Sequence, residues 1–96
     1  MNSLGFLEVS GMVAAMEALD AMLKTADVKF LTWEKKLGGR LVTIVVQGSV
    51  ASVNEAVEHG RIRANQITKA VASAVIANPH EEVRKLIEVS AQKYNK

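Results

Sequence analysis

Cysteine is absent from the 96 residues, proline occurs once, and the aromatic side chains are one Trp, one Tyr and two Phe. The lack of cysteine excludes disulfides and thiolate metal sites. The scarcity of aromatics leaves the apolar content mostly to Ala, Val, Leu and Ile. Charge of one sign is scarce too. The net charge is +2 with 23% charged residues, far from the polybasic stripe of a typical nucleic-acid binder. No apolar run approaches the roughly 20 residues of a membrane span. The opening MNSLGFLEVSG has neither the basic n-region nor the long apolar h-region of a signal peptide. A soluble, cytoplasmic protein with no nucleic-acid or membrane partner is the expectation.

What is present is a surplus of small apolar residues: 49% of the chain is apolar and the mean hydropathy is +0.12. A chain of this length forms one domain and buries only part of its surface when it folds alone. The surplus points to burial between subunits.

Periodicity sets out the elements. Residues 4–9 are short and apolar-rich, read as a strand and stopped by Ser10-Gly11. Met12, Ala15, Met16, Leu19, Met22, Leu23 and Ala26 then recur at helical spacing. Residues 28–36 read as a second strand, with Val28, Phe30 and Thr32 on one face and Lys29, Leu31 and Trp33 on the other. Gly38-Gly39 supplies the positive φ that a tight hairpin needs. Residues 40–47 form a third strand whose unbroken apolar run predicts burial on both faces.

Ser49 is placed to cap a second helix from Val50, with a weaker stripe of Val50, Val53, Val57, Ala64 and Ile67. Gly60 interrupts that stripe and marks close packing or a fray point rather than a functional site. Residues 70–77 read as a fourth strand. Asn78, Pro79 and Glu81 then resemble an N-cap, a first helical position and a capping-box acid. The helix they open is expected to end near Val89, before a frayed polar tail. The order βαββαβ plus a short C-terminal helix predicts a ferredoxin-like α+β sandwich. The sheet face away from the two main helices must then be covered by a helix, a neighbour or a ligand.

The chemistry-bearing residues are sparse. His59 and His80 lack the partners of a metal site, and Glu81 and Glu82 fit a helix N-terminal turn rather than a catalytic pair. No Gly-x-Ser-x-Gly, Walker or Gly-x-Gly-x-x-Gly motif occurs. Neither an enzyme activity nor a cofactor or metal is expected. Arg61, Arg63 and Lys69 make a modest basic patch on the second helix and its exit. Lys36, Gly38, Gly39 and Arg40 can be an ordinary basic hairpin tip, a phosphate cradle or a charged rim.

Three segments, LGFLEVSGMVAAMEALDAMLKTADV, EKKLGGRLVTIVVQGSVASVNEAVEHG and AVIANPHEEV, resemble the bacterial microcompartment shell proteins. The class resembled is the single-domain, hexamer-forming one of the propanediol- and ethanolamine-utilisation major shell proteins. The similarity runs from Leu4 to Leu86 in unpermuted order. The resemblance implies one shell domain over residues 1–90, then a polar tail at 91–96. It implies a flat homohexamer tiling edge to edge with other shell proteins around encapsulated enzymes, in a microcompartment shell in the cytoplasm.

Under that resemblance Lys36, Leu37, Gly38, Gly39 and Arg40 surround the sixfold axis as a pore for small metabolites. Lys24, Asn78, Pro79 and His80 lie at the hexamer edge. Arg40 stands where the family usually has a glycine, and Asn78 where it usually has an arginine. Two other functions fit the fold class alone. One is a small-molecule-sensing regulatory module. The other is an RNA-binding domain, disfavoured by the lack of stacking aromatics on the middle strands.

Overall fold

Four antiparallel strands form one sheet, in which the second and fourth strands of the chain are the edges and the third and first lie between them. The computed structural model describes residues 2–94. In chain order the elements are β1 (Ser3–Ser10), α1 (Met12–Thr25), β2 (Val28–Lys36), a tight turn (Leu37–Gly39), β3 (Leu41–Gly48), α2 (Val50–Asn65), β4 (Ala70–Ile76) and α3 (Glu81–Tyr94). This is the expected ferredoxin-like order.

Register decides which residues meet. Gly5↔Val46, Leu7↔Ile44 and Val9↔Val42 are paired across β1 and β3. Opposed residues share a face, so these six form the floor beneath α1 and α2. There they join Ala14, Ala15, Ala18, Met22, Val53, Ala56 and Ala64, all essentially inaccessible to solvent. Each large aliphatic buried this way contributes about 1.5–3 kcal/mol relative to exposure. Gly60 allows the helices to close: a Cβ there would lie 2.7 Å from Met22 Cγ and 2.9 Å from Leu7 Cδ2. Of the two readings of this glycine, close packing is the one the structure bears out, since it lies buried within the helix against Met22 and Leu7.

The helix stripes sit differently from the spacing pattern. On α1 the buried face is Ala14, Ala15, Ala18 and Met22, while Leu23 is 43% exposed and Met16 36%. Close approach to α2 selects small side chains at the contact and turns the larger ones aside. On α2 the expected Val53, Val57 and Ala64 are buried together with Ala56 and Gly60, whereas Val50 is exposed and Ile67 lies exposed past the end of the helix. Ser49 caps α2 as expected, its hydroxyl accepting from Ser52 N at 3.1 Å.

β2 departs from simple alternation. Phe30 opposes Val46 but Thr32 opposes Val45, leaving Leu31 as an inserted residue. A bulge of this kind reverses the alternation beyond it. Trp33, opposite Ile44, therefore shares the α1/α2 face with Phe30, and Thr32 turns to the other face. The expected grouping of Val28, Phe30 and Thr32 against Lys29, Leu31 and Trp33 is corrected accordingly.

α3 lies on that other face, against β2. It reaches Tyr94 rather than ending near Val89, so residues 91–94 are helical; Asn95 and Lys96 of the expected tail lie outside the described residues. The buried hydroxyls of Thr32 and Ser90 are 2.8 Å apart. Ser90 donates onward to the Glu34 carboxylate, so Thr32 donates to Ser90. Lys93 Nζ stands 3.6 Å from the same carboxylate. At the end of α3, Tyr94 meets Phe30 edge-on at 5.2 Å and Trp33 at 6.2 Å, closing over the edge of β2.

The start of α3 also differs. Asn78 adopts φ 48°, a left-handed conformation that Asn tolerates better than most residues. It ends the exit from β4 and is not the helix cap. His80 takes that role: its Nδ1 accepts from Glu82 N at 3.0 Å, and its carbonyl accepts from Val83 N and Arg84 N. Pro79 is buried just ahead of it rather than opening the helix.

Candidate functional site

The turn after β2 is built from three successive residues at positive φ: Leu37 at 56°, Gly38 at 67° and Gly39 at 92°. Gly38 and Gly39 adopt such angles without cost, whereas a leucine there is strained by roughly 1–2 kcal/mol. Leu37 is 68% exposed and recovers little of that by packing. Arg40 is already back in right-handed geometry, and its N–H returns to Leu37 O at 3.3 Å. The third strand accordingly begins at Leu41, not at Arg40. The Arg40 carbonyl accepts from Gly11 N at 2.8 Å, which ties the turn to the β1–α1 junction.

Lys35, Lys36 and Arg40 are exposed around this turn. Lys35 Nζ rests 5.3 Å from the Trp33 ring centroid. Neither Lys36 nor Arg40 has an ion-pair partner among the described residues. The turn therefore presents two cations that are free of direct ion pairs among the described residues.

The edge candidates lie elsewhere. Lys24 is in the last turn of α1, where the helix dipole favours a cation. Its ammonium pairs with Asp20 at 2.8 Å and remains largely exposed. The hydrogen bond from Lys24 to Asp20 raises its pKa above the usual lysine value. α1 delivers the chain to Val28, which pairs with Gly48, itself opposite Ser3. Asn78, Pro79 and His80 follow Ile76, which pairs with Leu4. Lys24 and the Asn78-Pro79-His80 turn thus occupy one end of the sheet, and the turn at 36–40 occupies the other. Eight-residue strands separate the two ends by about 25 Å.

The basic patch read on the second helix divides. Arg61 is bidentate to Glu58, and Arg63 bonds Glu17 on α1 at 3.0 Å. Lys69 lies past the helix, beside Ser10, with Ser10 N donating to its carbonyl at 2.9 Å. It joins the loop end of the sheet, a placement that only the β1–β4 pairing reveals.

Among the described residues no group of three or more His, Asp or Glu side chains comes together in a way that could hold a metal ion. His59 is exposed on α2, far along the chain from His80 at the head of α3. No helix among the described residues is long and apolar enough to cross a membrane.

One sheet, two helices on one face and a loop-to-edge polarity describe the geometry. The BMC domain family matches residues 3–79, from β1 through the turn that precedes α3. The chain belongs to the BMC domain family. Over 86 residues it is 40% identical to the bacterial microcompartment shell protein PduA of Citrobacter freundii, covering 90% of this chain and 91% of that one. It is 39% identical over 89 residues to the shell protein EutM of Escherichia coli strain K12, covering 93% and 91%. A crystal structure of a microcompartments protein from Desulfitobacterium hafniense DCB superposes with a TM-score of 0.80 at 29% identity. That match takes in 94% of this chain and 48% of the other, so this chain spans about half of that protein. The family match ends ahead of α3, whereas the alignments to PduA and EutM and the structural match, which take in 90–94% of this chain, run on into it.

Proposed function

We propose that the protein is a non-enzymatic structural component of a bacterial microcompartment shell in the cytoplasm. Six copies close into a ring with Lys36, Leu37, Gly38, Gly39 and Arg40 around the central pore. Lys24, Asn78, Pro79 and His80 face neighbouring shell proteins at the rim. The shell so formed surrounds enzymes, and small metabolites cross at the pore.

The observation that carries this reading is the polarity of the sheet, with the turn at one end and both rim segments at the other. Closing a ring around the turn puts Lys24 and Asn78 outermost without rearrangement of the subunit. A second observation favours closure with other copies. The sheet face over β3, β1 and β4 is left uncovered by α3, as a shallow depression of about 200 Å3 lined by Phe6, Glu8, Thr43, Ala72, Ser73 and Ala74.

Six Lys36 and six Arg40 side chains near one axis create a positive field. Two unit charges about 8 Å apart repel by roughly 0.5 kcal/mol in water, and by more where solvent is restricted. Such a rim favours anionic or polar metabolites over cations. At the outer edge Asn78 offers a short amide in place of a planar guanidinium fork. Edge contacts therefore rest more on Lys24 and on mixed assembly with other shell proteins.

Native mass spectrometry at moderate salt tests the ring. A dominant species of six 10.4 kDa chains is expected. A monomer or dimer across a wide concentration range would overturn the proposal and favour a small-molecule-sensing module instead. The rim is tested by Lys24→Asp. The side chain lies off the buried face of α1, so the ring should persist while extended sheets seen by electron microscopy disappear. Sheets that form as before would remove Lys24 from the rim.

A further inference from the structure

The turn at 36–40 is one of two cationic segments that converge on Ser10-Gly11. Gly11 N donates to the Arg40 carbonyl at 2.8 Å and Ser10 N to the Lys69 carbonyl at 2.9 Å. Thr68 Oγ1 adds a 2.6 Å bond to the Ser10 carbonyl. β3 and β4 flank β1 at this end, through Ser10↔Leu41 and Val9↔Ala70. With strands roughly 4.8 Å apart, the backbones of Arg40 and Lys69 stand about 10 Å from each other. That span is within reach of a long arginine and a long lysine side chain closing on one small group.

Both side chains are exposed, and neither has an ion-pair partner among the described residues. The other cations on α1 and α2 behave differently: Lys24, Arg61 and Arg63 are each paired to an acid. The nearest carboxylates along the sheet are Glu34 and Glu8, both opposite Thr43 and so two residues further in from the Lys36–Leu41–Ser10 row. Glu34 is engaged with Ser90 and Lys93, and Thr43 donates to Glu8 at 3.4 Å.

We infer that Arg40 and Lys69 form a binding site for a small phosphate-bearing anion, and that Lys69 is a residue that sets which anions the loop end of the subunit accepts. The guanidinium fork matches two oxygens of a phosphoryl group, and the ammonium supplies a point charge from the second segment. Two cations held on separate, hydrogen-bonded backbones favour a dianion over a monoanion. The site lies within one chain; its position at the pore mouth rests on the ring reading above.

Calorimetric titration of the full chain with inorganic phosphate in low-salt buffer tests the inference, because screening is weak there. A unit charge about 5 Å from a singly charged anion in water changes binding by about fourfold, the lower bound for a phosphate that carries between one and two charges. Lys69→Gln and Arg40→Gln should each weaken phosphate binding by at least that factor. Lys29→Gln removes the same charge at the opposite end of β2, opposite Gln47, and should leave phosphate binding unchanged. Equal affinities for the Lys69 and Lys29 variants, or no phosphate binding by the wild type, would overturn the site. Intact mass measured on the same samples separates the two proposals. A ring without a Lys69 effect removes the site alone, and a Lys69 effect without a ring removes the pore reading alone.

Discussion

Gly60 shows how much one missing Cβ decides. Met22 occupies the space beside it, and Met22 and Leu7 are both inaccessible to solvent. Gly60→Ala therefore gains helix propensity of about 1 kcal/mol but forces a repacking that typically costs about 1–3 kcal/mol. The methionine side chain is flexible, yet Leu7 also lies only 2.9 Å from the added Cβ, so two buried side chains must give way. Net destabilisation of about 1 kcal/mol is expected, read as a lower urea midpoint with an unchanged slope. A midpoint at or above wild type would mean that the helices can separate without loss. Leu37 is the converse case, a large residue at a backbone angle that favours glycine. Its strain is local to the candidate pore turn, where backbone outliers often accompany function.

At the scale of elements, α3 is the informative part. It carries little apolar burial, with Ser90 its one buried residue, and is held by a polar chain from Thr32 through Ser90 and Glu34 to Lys93. The hydrogen bond from Ser90 holds the Glu34 carboxyl below the usual carboxylate range, assisted by Lys93 and Lys36 against the opposing effect of desolvation. Because the folded-state value lies below the unfolded one, this anchoring contributes stability at neutral pH. The contribution is lost as pH falls from about the ordinary value of 4.5 through the depressed one. Glu34→Gln should lose less stability than wild type between pH 6 and pH 3, measured by thermal unfolding across that range. Superimposable pH profiles would show that Glu34 does not couple α3 to the sheet. The side chain is 43% exposed, so solvent screening keeps the difference small.

The same scale shows why some elements were legible and others not. Strand and helix positions follow from short-range periodicity, and all four strands and the first two helices lie within a few residues of where that periodicity puts them. The cap of α3 was not legible. Asn78 and Pro79 match the residue types of a helix start, yet the chain leaves β4 by a left-handed turn and uses His80 instead. The bulge at Leu31 was equally hidden, because it depends on how β2 pairs with β3. The continuation of α3 to Tyr94 is fixed by contacts with Phe30 and Trp33, some 60 residues earlier in the chain.

For the whole molecule, the uncovered face of the sheet is the feature that a lone subunit does not explain. Phe6, Ala72 and Ala74 lie there with the carboxylate of Glu8, and β4 is mostly exposed along its length. Ala74→Arg places a large cation opposite Phe6 on that face. It should leave monomer folding intact, as judged by circular dichroism, and shift the native mass away from the proposed six-chain species. A ring that survives the change would mean that the face is not buried between copies.

Taken by itself, the sequence determined the order of elements, the absence of thiol chemistry and the likeness to shell proteins carried by ordered motifs. These depend on local spacing and composition, which a linear chain displays directly. The tertiary structure alone decided which helix residues are buried, where β2 reverses its faces, and which residue caps α3. It alone separated Lys69 from Arg61 and Arg63 and brought it to Ser10 beside Arg40. Three of these depend on strand register or helix approach between segments distant in the chain, where a shift of one residue reverses the answer; the cap depends on the left-handed backbone at Asn78, which residue types do not display.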